Sequence, residues 1–363
     1  MASVKAEAVL VALSGGIDSA LAAALLKREG REVRGLHFLL PGLPEGREKK
    51  ARVVRELADH LEIPVAVLDL RDVFSLRIIE PFIASYLKGS TPNPCVLCNQ
   101  IIKFDSLLQW ADREGIPYVA TGHYARIARG EGHEAALFRG RDRGKDQTYF
   151  LHRLTQAQLC RTLLPLGEMT KQEVRETAAE MGLPTRKEPE SQEICFLPGN
   201  DYRAFLEERE GDGIRRRGDI LNREGEKVGE HRGTYRYTMG QRHGLGIASS
   251  RPYYVMDLRV EENQVIVGRR EALYSRRVEA VDFNWIDGRI PPERIRVFAQ
   301  VRYRHRAAPG WLQPLSGDRV GLEFDRPQWA VTPGQALVCY EEERLLGGGW
   351  IERGDGGMGE GLL

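Results

Sequence analysis

Apolar and polar positions along the first half of the chain follow two alternating periods. The run Val9-Leu10-Val11-Ala12-Leu13 is uninterrupted and partly β-branched, as in a strand buried on both faces. Residues 20–28 then switch to an Ala/Leu pattern that reads as a helix. Residues 33–38 predict a second strand, 45–61 a charged amphipathic helix, and 65–68 another buried strand. Helices over 74–87 and 100–110, a strand ending in a loop over 118–123, and a helix over 171–181 capped by Thr170 continue the series. Strand–helix alternation with short connections specifies a parallel sheet covered on both faces, with ligands at the carboxyl ends of its strands.

After about residue 198 the pattern changes. Short runs at 218–221, 235–238, 253–257 and 265–268 are punctuated by glycine and arginine, and from about 271 the chain reads as all-β, as at 297–306 and 335–340. That spacing predicts a small barrel. The fold class is therefore α/β: a parallel-sheet domain over 1–198, a small central domain over 199–270, a C-terminal β-barrel over 271–353, and a Gly-rich tail over 354–363 that is expected to fray. No internal repeat is visible.

Length agrees, since 363 residues suggest two or three domains at roughly 150 residues each. An apolar content of 42% supports real cores, and no apolar run approaches the ~20 residues needed to span a bilayer. Met-Ala-Ser-Val-Lys leads straight into the first strand, so the expectation is a cytoplasmic chain with no signal peptide and no membrane partner. A net charge of +1 gives no global argument for nucleic acid; any such argument must be local. Five cysteines in a chain this large are not a disulfide framework, so some are expected to be reactive or ligating.

The sharpest chemistry lies between the first strand and the first helix. Ser14-Gly15-Gly16-Ile17-Asp18-Ser19 leaves several backbone N–H groups pointing at one spot, where the helix dipole favours negative charge. Two glycines allow close approach and two serines add hydroxyl donors, so a phosphate or pyrophosphate is the expected occupant. Gly-Lys-Ser/Thr is absent, which excludes a kinase-type P-loop. The segment instead resembles the pyrophosphatase-type (PP) loop of adenine-nucleotide alpha-hydrolase-like enzymes, which adenylate a substrate oxygen and release pyrophosphate.

Two cysteine segments follow. In Thr91-Pro92-Asn93-Pro94-Cys95-Val96-Leu97-Cys98-Asn99 the prolines predict a stiff, extended loop, suited to holding a nucleophile in place. Without a second Cys-x-x-Cys a complete four-cysteine zinc site is not the expectation, and His231, His243 and His305 lack metal-ligand spacing. Cys195 sits in an apolar Ile-Cys-Phe setting that on its own reads as a buried small hydrophobe. Farther on, 301–306 predicts a strand with Arg302, Arg304 and Arg306 on one face, ~6.8 Å apart, a phosphate-tracking stripe. Arg215-Arg216-Arg217 and Arg276-Arg277 are weaker signals.

Six ordered motifs resemble the tRNA-specific 2-thiouridylase family over nearly the whole chain. They are Ser14–Ser19, Thr91–Asn99, Ala120-Thr121-Gly122-His123-Tyr124, Lys145-Asp146-Gln147-Thr148-Tyr149-Phe150, Ser191-Gln192-Glu193-Ile194-Cys195-Phe196 and the glycine-rich run from Tyr237 to Ile247. The resemblance implies ATP-dependent replacement, by sulfur, of the C2 oxygen of the wobble uridine in the anticodon loop. It implies ATP in a cradle of Ala12, Leu13, Ser14, Gly15, Gly16, Ile17, Asp18 and Ser19, with Phe38 near the adenine, Gly122 in the same pocket and Mg2+ bridging the phosphates. Cys98 would be the nucleophile, and Cys195 would carry a persulfide from a donor such as a cysteine desulfurase or sulfur-relay protein. Asn93, Pro94 and Cys95 would surround the everted base. His123, Lys145, Asp146, Gln147, Arg302, Tyr303, Arg304 and Gln335 would lie against the tRNA.

One position departs from the family pattern. Cys95 stands where many members carry an acidic residue with a general-base role. Three readings stay open: a tolerated small residue, a reversible redox pair with Cys98, or a third thiolate that joins Cys98 and Cys195 in holding a [4Fe-4S] cluster.

Overall fold

The computed structural model describes residues 7–42, 44–130, 134–184 and 194–353. Ser191, Gln192, Glu193 and the tail 354–363 lie outside the described residues. Strands β1 (Ala8–Ala12), β2 (Glu32–Leu39), β3 (Val65–Asp69) and β4 (Tyr118–Ala120), together with β7 (Thr162–Leu163), form a five-stranded sheet. Its order is β3-β2-β1-β4-β7 and every pairing is parallel. Strand period two divides the core. Val9, Val11 and Val33 face the cluster built with helix α1 (Ile17–Arg28), α2 (Pro44–His60) and helix Lys171–Glu180. Leu10 and Leu36 face the opposite cluster, with Leu107 and Ala111 of helix Ser106–Arg113. Residues 20 to 26 of α1 are buried, so this helix is apolar all round.

The second sheet joins β8 (Gly218–Leu221), β9 (Lys227–His231), β10 (Tyr254–Arg259) and β11 (Gln264–Gly268) in the order β10-β11-β8-β9. The third contains β12 (Tyr274–Trp285), β13 (Ile295–Gln300), β14 (Ala308–Pro314), β15 (Val320–Trp329), β16 (Ala336–Glu341) and β17 (Arg344–Ile351). Pairing of β12 with both β15 and β17 closes these six antiparallel strands into a barrel. Its interior is filled by Val278, Val297, Leu312, Leu322, Phe324 and Cys339, and closure removes the exposed edges. A hairpin from the first domain, β5 (Ala125–Arg129) and β6 (Ala135–Arg139), adds to β17, so the first domain and the barrel share a sheet.

Several sequence expectations need correction. The 65–68 strand is an edge strand and Val67 is 51% exposed. Residues 235–238 are not a strand, because Thr234–Arg236 forms a 3-10 turn. The 301–306 strand is also absent: β13 ends at Gln300, and the chain turns with a His305 N–H to Arg302 C=O bond. Period two does not hold in a turn, so the stripe of three arginines on one strand face is not formed. The cysteines of 91–99 are helical rather than looped. A helical run starts at Pro94, where the missing N–H costs nothing and φ is already set, and passes through a π-type stretch at Cys98–Asp105 into helix Ser106–Arg113.

Candidate active site

The Ser14–Ser19 turn leaves the carboxyl end of β1, and Gly122 follows the end of β4, its neighbour on the side opposite β2. That is the point at which strand order reverses, where open α/β sheets bind ligands. The turn is held internally. Ser19 Oγ donates to Gly16 C=O (3.0 Å) and accepts from Ser14 N–H (3.2 Å), while the two hydroxyls lie 3.1 Å apart. Gly15 has φ +83°, and a Cβ on Gly122 would stand 2.6 Å from the Asp18 carbonyl carbon, so neither position tolerates a side chain without movement. Ser14 and Gly16 are exposed, as an anion-binding turn at a helix N-terminus requires. Leu13 is buried, with its N–H bonded to Leu36 C=O and its C=O to the His37 ring, so it shapes the start of the turn from within. Ala12 and Phe38 are half-buried at the strand ends.

Asp18 is fixed from two distant segments. The Lys171 ammonium donates to its two oxygens at 2.7 and 2.8 Å, and the Tyr124 hydroxyl donates to Oδ1 at 2.7 Å. Lys171 opens the helix capped by Thr170, whose hydroxyl accepts from the Glu173 N–H in a capping box. Neither partner of Asp18 is legible in the sequence. Tyr124 stands in a quoted motif without a role, and Lys171 carries no motif.

The two cysteine segments converge. Cys98, Phe196 and Leu197 belong to one buried cluster, with Ile194 packed against it. Phe196 anchors the turn after Cys195 through edge contacts with Phe74 (5.7 Å) and Phe82 (5.2 Å). Cys98 is buried, Cys95 half-buried and Cys195 exposed; all three are free thiols. Desolvation pushes the Cys98 thiol up to about 12 and raises Cys95 and Cys195 as well, while the Lys103 charge opposes the shift at each. Cys195 also feels Lys50, and the Cys95 and Cys98 thiols both feel Cys195. Lys103 was missed in the sequence because it lies five positions after Cys98. In a π-type stretch, bonds run from i to i+5 and bring such residues one above the other.

Asn99 ties this helix to the phosphate-loop side. Its Oδ1 accepts from His123 Nε2 (3.1 Å), whose Nδ1 accepts from the Thr121 hydroxyl (2.7 Å), and Asn99 Nδ2 donates to Phe150 C=O (3.3 Å). His123 is 8% exposed and stacks on Phe104, and burial pushes its pKa well below the ordinary value, so it is neutral. The residue expected on the tRNA surface thus lies beneath the site in this structure. Asp146 is likewise interior, accepting from Arg139 (2.9 Å), Gly140 N–H and the Thr148 hydroxyl (2.8 Å); Gln147 accepts from Tyr124 N–H, and Lys145 is half-buried. Gln335 donates to Thr91 C=O (2.8 Å), clasping the barrel onto the Thr91–Pro94 segment, in which Pro94 is buried and Asn93 meets the Tyr149 hydroxyl. Tyr303 packs on Phe150 at 4.3 Å and lies within electrostatic reach of Cys95. Arg302 donates to Trp329 C=O, while Arg304 and Arg306 are exposed.

Among the described residues, no three His, Cys, Asp or Glu side chains stand close enough to hold one metal ion. That concerns a single ion; in an iron–sulfur cluster each cysteine would ligate a separate iron, and Cys95, Cys98 and Cys195 lie within electrostatic reach of one another. No described helix is long and apolar enough to cross a membrane.

Three family models match the chain in order. They are described as a tRNA methyl transferase HUP domain (residues 7–199), a tRNA methyl transferase PRC-barrel domain (203–269) and an aminomethyltransferase beta-barrel domain (275–351). Fold and site thus define a HUP-type protein of the tRNA-modifying class. The tRNA-specific 2-thiouridylase MnmA of Syntrophotalea carbinolica is 47% identical over 347 residues, covering 94% of this chain and 98% of that one. That of Moorella thermoacetica is 48% identical over 354 residues, covering 94% and 99%. A solved 4-thiouridine synthetase–RNA complex with bound ATP is also similar, at 20% identity and TM-score 0.37, covering 56% of this chain and 50% of that one. The chain belongs to the tRNA-specific 2-thiouridylase family.

Proposed function

We propose that this protein replaces the C2 oxygen of the wobble uridine of tRNA with sulfur, using ATP and a cysteine persulfide. The observation that carries the proposal is the convergence of two distant segments: Cys98 shares a buried cluster with Phe196 and Leu197, the Cys195 thiol lies within its electrostatic reach, and Asn99, His123 and Gly122 tie the site to the phosphate-type turn. The Ser14–Ser19 N–H groups and hydroxyls receive the β- and γ-phosphates. The uridine C2 oxygen attacks the α-phosphorus, pyrophosphate leaves, and the oxygen becomes part of an AMP leaving group. Among the described residues, Asp18 Oδ2 accepts only from Lys171, which leaves a lone-pair direction for a magnesium ion carried in on the phosphates. Such an ion would neutralise charge on the departing pyrophosphate.

Sulfur arrives on the exposed Cys195 as a persulfide from a donor protein. Its terminal sulfur attacks C2, the C2–O bond breaks and AMP leaves. Cys98 gives up its thiol proton to solvent, a loss that burial opposes and the Lys103 charge assists, and attacks the Cys195 sulfur; the S–S bond to the transferred sulfur breaks, leaving 2-thiouridine and a Cys98–Cys195 disulfide for a cellular thiol to reduce. Asn93, Pro94 and Cys95 would flank the everted base, with Tyr303 and Phe150 as an aromatic wall. Arg302 and Arg304 on the 301–306 turn would meet phosphates. With Cys95 in place of a carboxylate, no acidic group at that position takes the Cys98 proton, and the Lys103 charge offsets only part of the desolvation that raises the thiol. The test is Cys98→Ala: 2-thiouridine in the product nucleosides is expected to vanish while tRNA affinity holds. Persistence of 2-thiouridine rejects the assignment.

A further inference from the structure

The glycine-rich motif from Tyr237 to Ile247 has no part in the chemistry above, yet its residues Tyr237 to Gly244 line a cavity of about 750 Å3 between the central sheet and the barrel. Its turn is built by Gln241. That amide accepts from Thr238 N–H (3.1 Å) and donates to His243 C=O (2.9 Å), while Gly240 N–H and Gln241 C=O pair with Val255 at 2.8 and 3.0 Å. With Gly240 at φ +82° and Gly244 at φ +74°, the turn is tight, and Arg242 is left exposed on it without a hydrogen bond or carboxylate partner among the described residues.

The other walls point to the same ligand chemistry. Arg203 and Arg236 line the cavity, Arg203 lying over the Tyr202 ring at 5.1 Å and donating through Nε to Arg236 C=O. Glu207, which holds Arg236, is also committed to Tyr235 and Arg215, so the local balance is positive. Two further donors are orphaned: the buried Tyr202 hydroxyl and Trp329 indole N–H have no hydrogen-bond partner among the described residues, and both side chains line this cavity. Unpaired buried donors are costly, and both stand on side chains that form this wall.

The cavity is continuous with the proposed tRNA path. Trp329 lies under Arg302 at 5.7 Å and accepts its hydrogen bond at 3.0 Å, and Arg302 begins the turn whose Tyr303 reaches the cysteine helix. We propose that this cavity is a second RNA site, taking a phosphodiester-bearing nucleotide of the tRNA away from the wobble base, with Arg242 as its phosphate ligand. The proposal rests on the tRNA reading above.

The test measures tRNA affinity of the full-length protein by fluorescence anisotropy over a range of salt concentrations, for wild type, Arg242→Ala and Arg242→Lys. Arg242→Ala is expected to weaken binding about three- to tenfold and to reduce the slope of log K against log salt by about 1. Arg242→Lys restores most of both. Wild-type protein that fails to bind tRNA overturns the functional reading itself. Wild-type binding with Arg242→Ala unchanged in affinity and slope overturns only the second site. So does a variant with intact tRNA binding but slowed sulfur uptake from a donor protein, which would make this surface a protein dock.

Discussion

The Asp18–Lys171 pair offers a direct test of how the phosphate turn is held. The ammonium is bidentate to the carboxylate at 2.7 and 2.8 Å, with side chains 10% (Lys171) and 34% (Asp18) exposed. Removing one member of a fully buried pair costs about 3–5 kcal/mol, and exposed pairs contribute ~0–1 kcal/mol. With Asp18 a third open to water, Lys171→Met should cost ~2 kcal/mol, which lowers Tm by about 4–8 °C for a unit of this size. It also leaves a negative charge beside the phosphates, so ATP should bind roughly tenfold more weakly, equivalent to ~1.4 kcal/mol. In ATP titrations without Mg2+, Asp18→Asn removes that repulsion. The double variant should therefore recover part of the ATP affinity and lose less stability than the sum of the singles, with a coupling of ~1.5 kcal/mol. Thermal denaturation and ATP titration of the four proteins measure both quantities. Additive losses, or a Lys171→Met protein with unchanged Tm and ATP affinity, would refute the argument.

Iodoacetamide with mass spectrometry should modify the exposed Cys195 first. The Cys98 rate should climb about tenfold per pH unit from 7 to 10, since its thiol is pushed up to about 12; a plateau by pH 8 would contradict this. His152 is fully buried and its pKa is lowered to about 4 by desolvation. The unfolded chain therefore binds the extra proton below about 6.5, and stability is lost as pH falls from there towards 4. By pH 5 the loss from His152 alone should reach ~2 kcal/mol, with His123 adding in the same direction. Urea midpoints at pH 7.5 and 5.0 read it, and equal midpoints would sink it. Arg304→Ala should weaken tRNA binding at low salt and flatten its salt dependence; identical titrations would remove Arg304 from the interface.

Much of this protein is decided by residues close together in the chain. The β1–turn–α1 unit, the Thr170 cap and the change from alternating α/β to all-β follow from side-chain period, caps and glycine placement, which act over a few residues. Motif order also picked out the two cysteine segments that the fold packs together. Local rules failed where longer-range packing overrode them. Pro92 and Pro94 suggested an extended loop, but Pro94 serves as the first residue of a helix seated in the core. Arg302, Arg304 and Arg306 alternate as in a strand, yet β13 stops at Gln300 once its pairing with β16 runs out.

Only tertiary structure decided which distant groups meet. Asp18 finds Lys171, Asn99 finds His123, Gln335 finds Thr91, and the β5–β6 hairpin joins the barrel rather than the parallel sheet. The π-type register that sets Lys103 against the thiols belongs here as well. Each depends on how whole elements pack, and a polar side chain pulled from water takes whatever partner that packing brings within ~3 Å. The sequence determined which chemistry this protein carries; the packing of its three sheets determined where that chemistry is assembled.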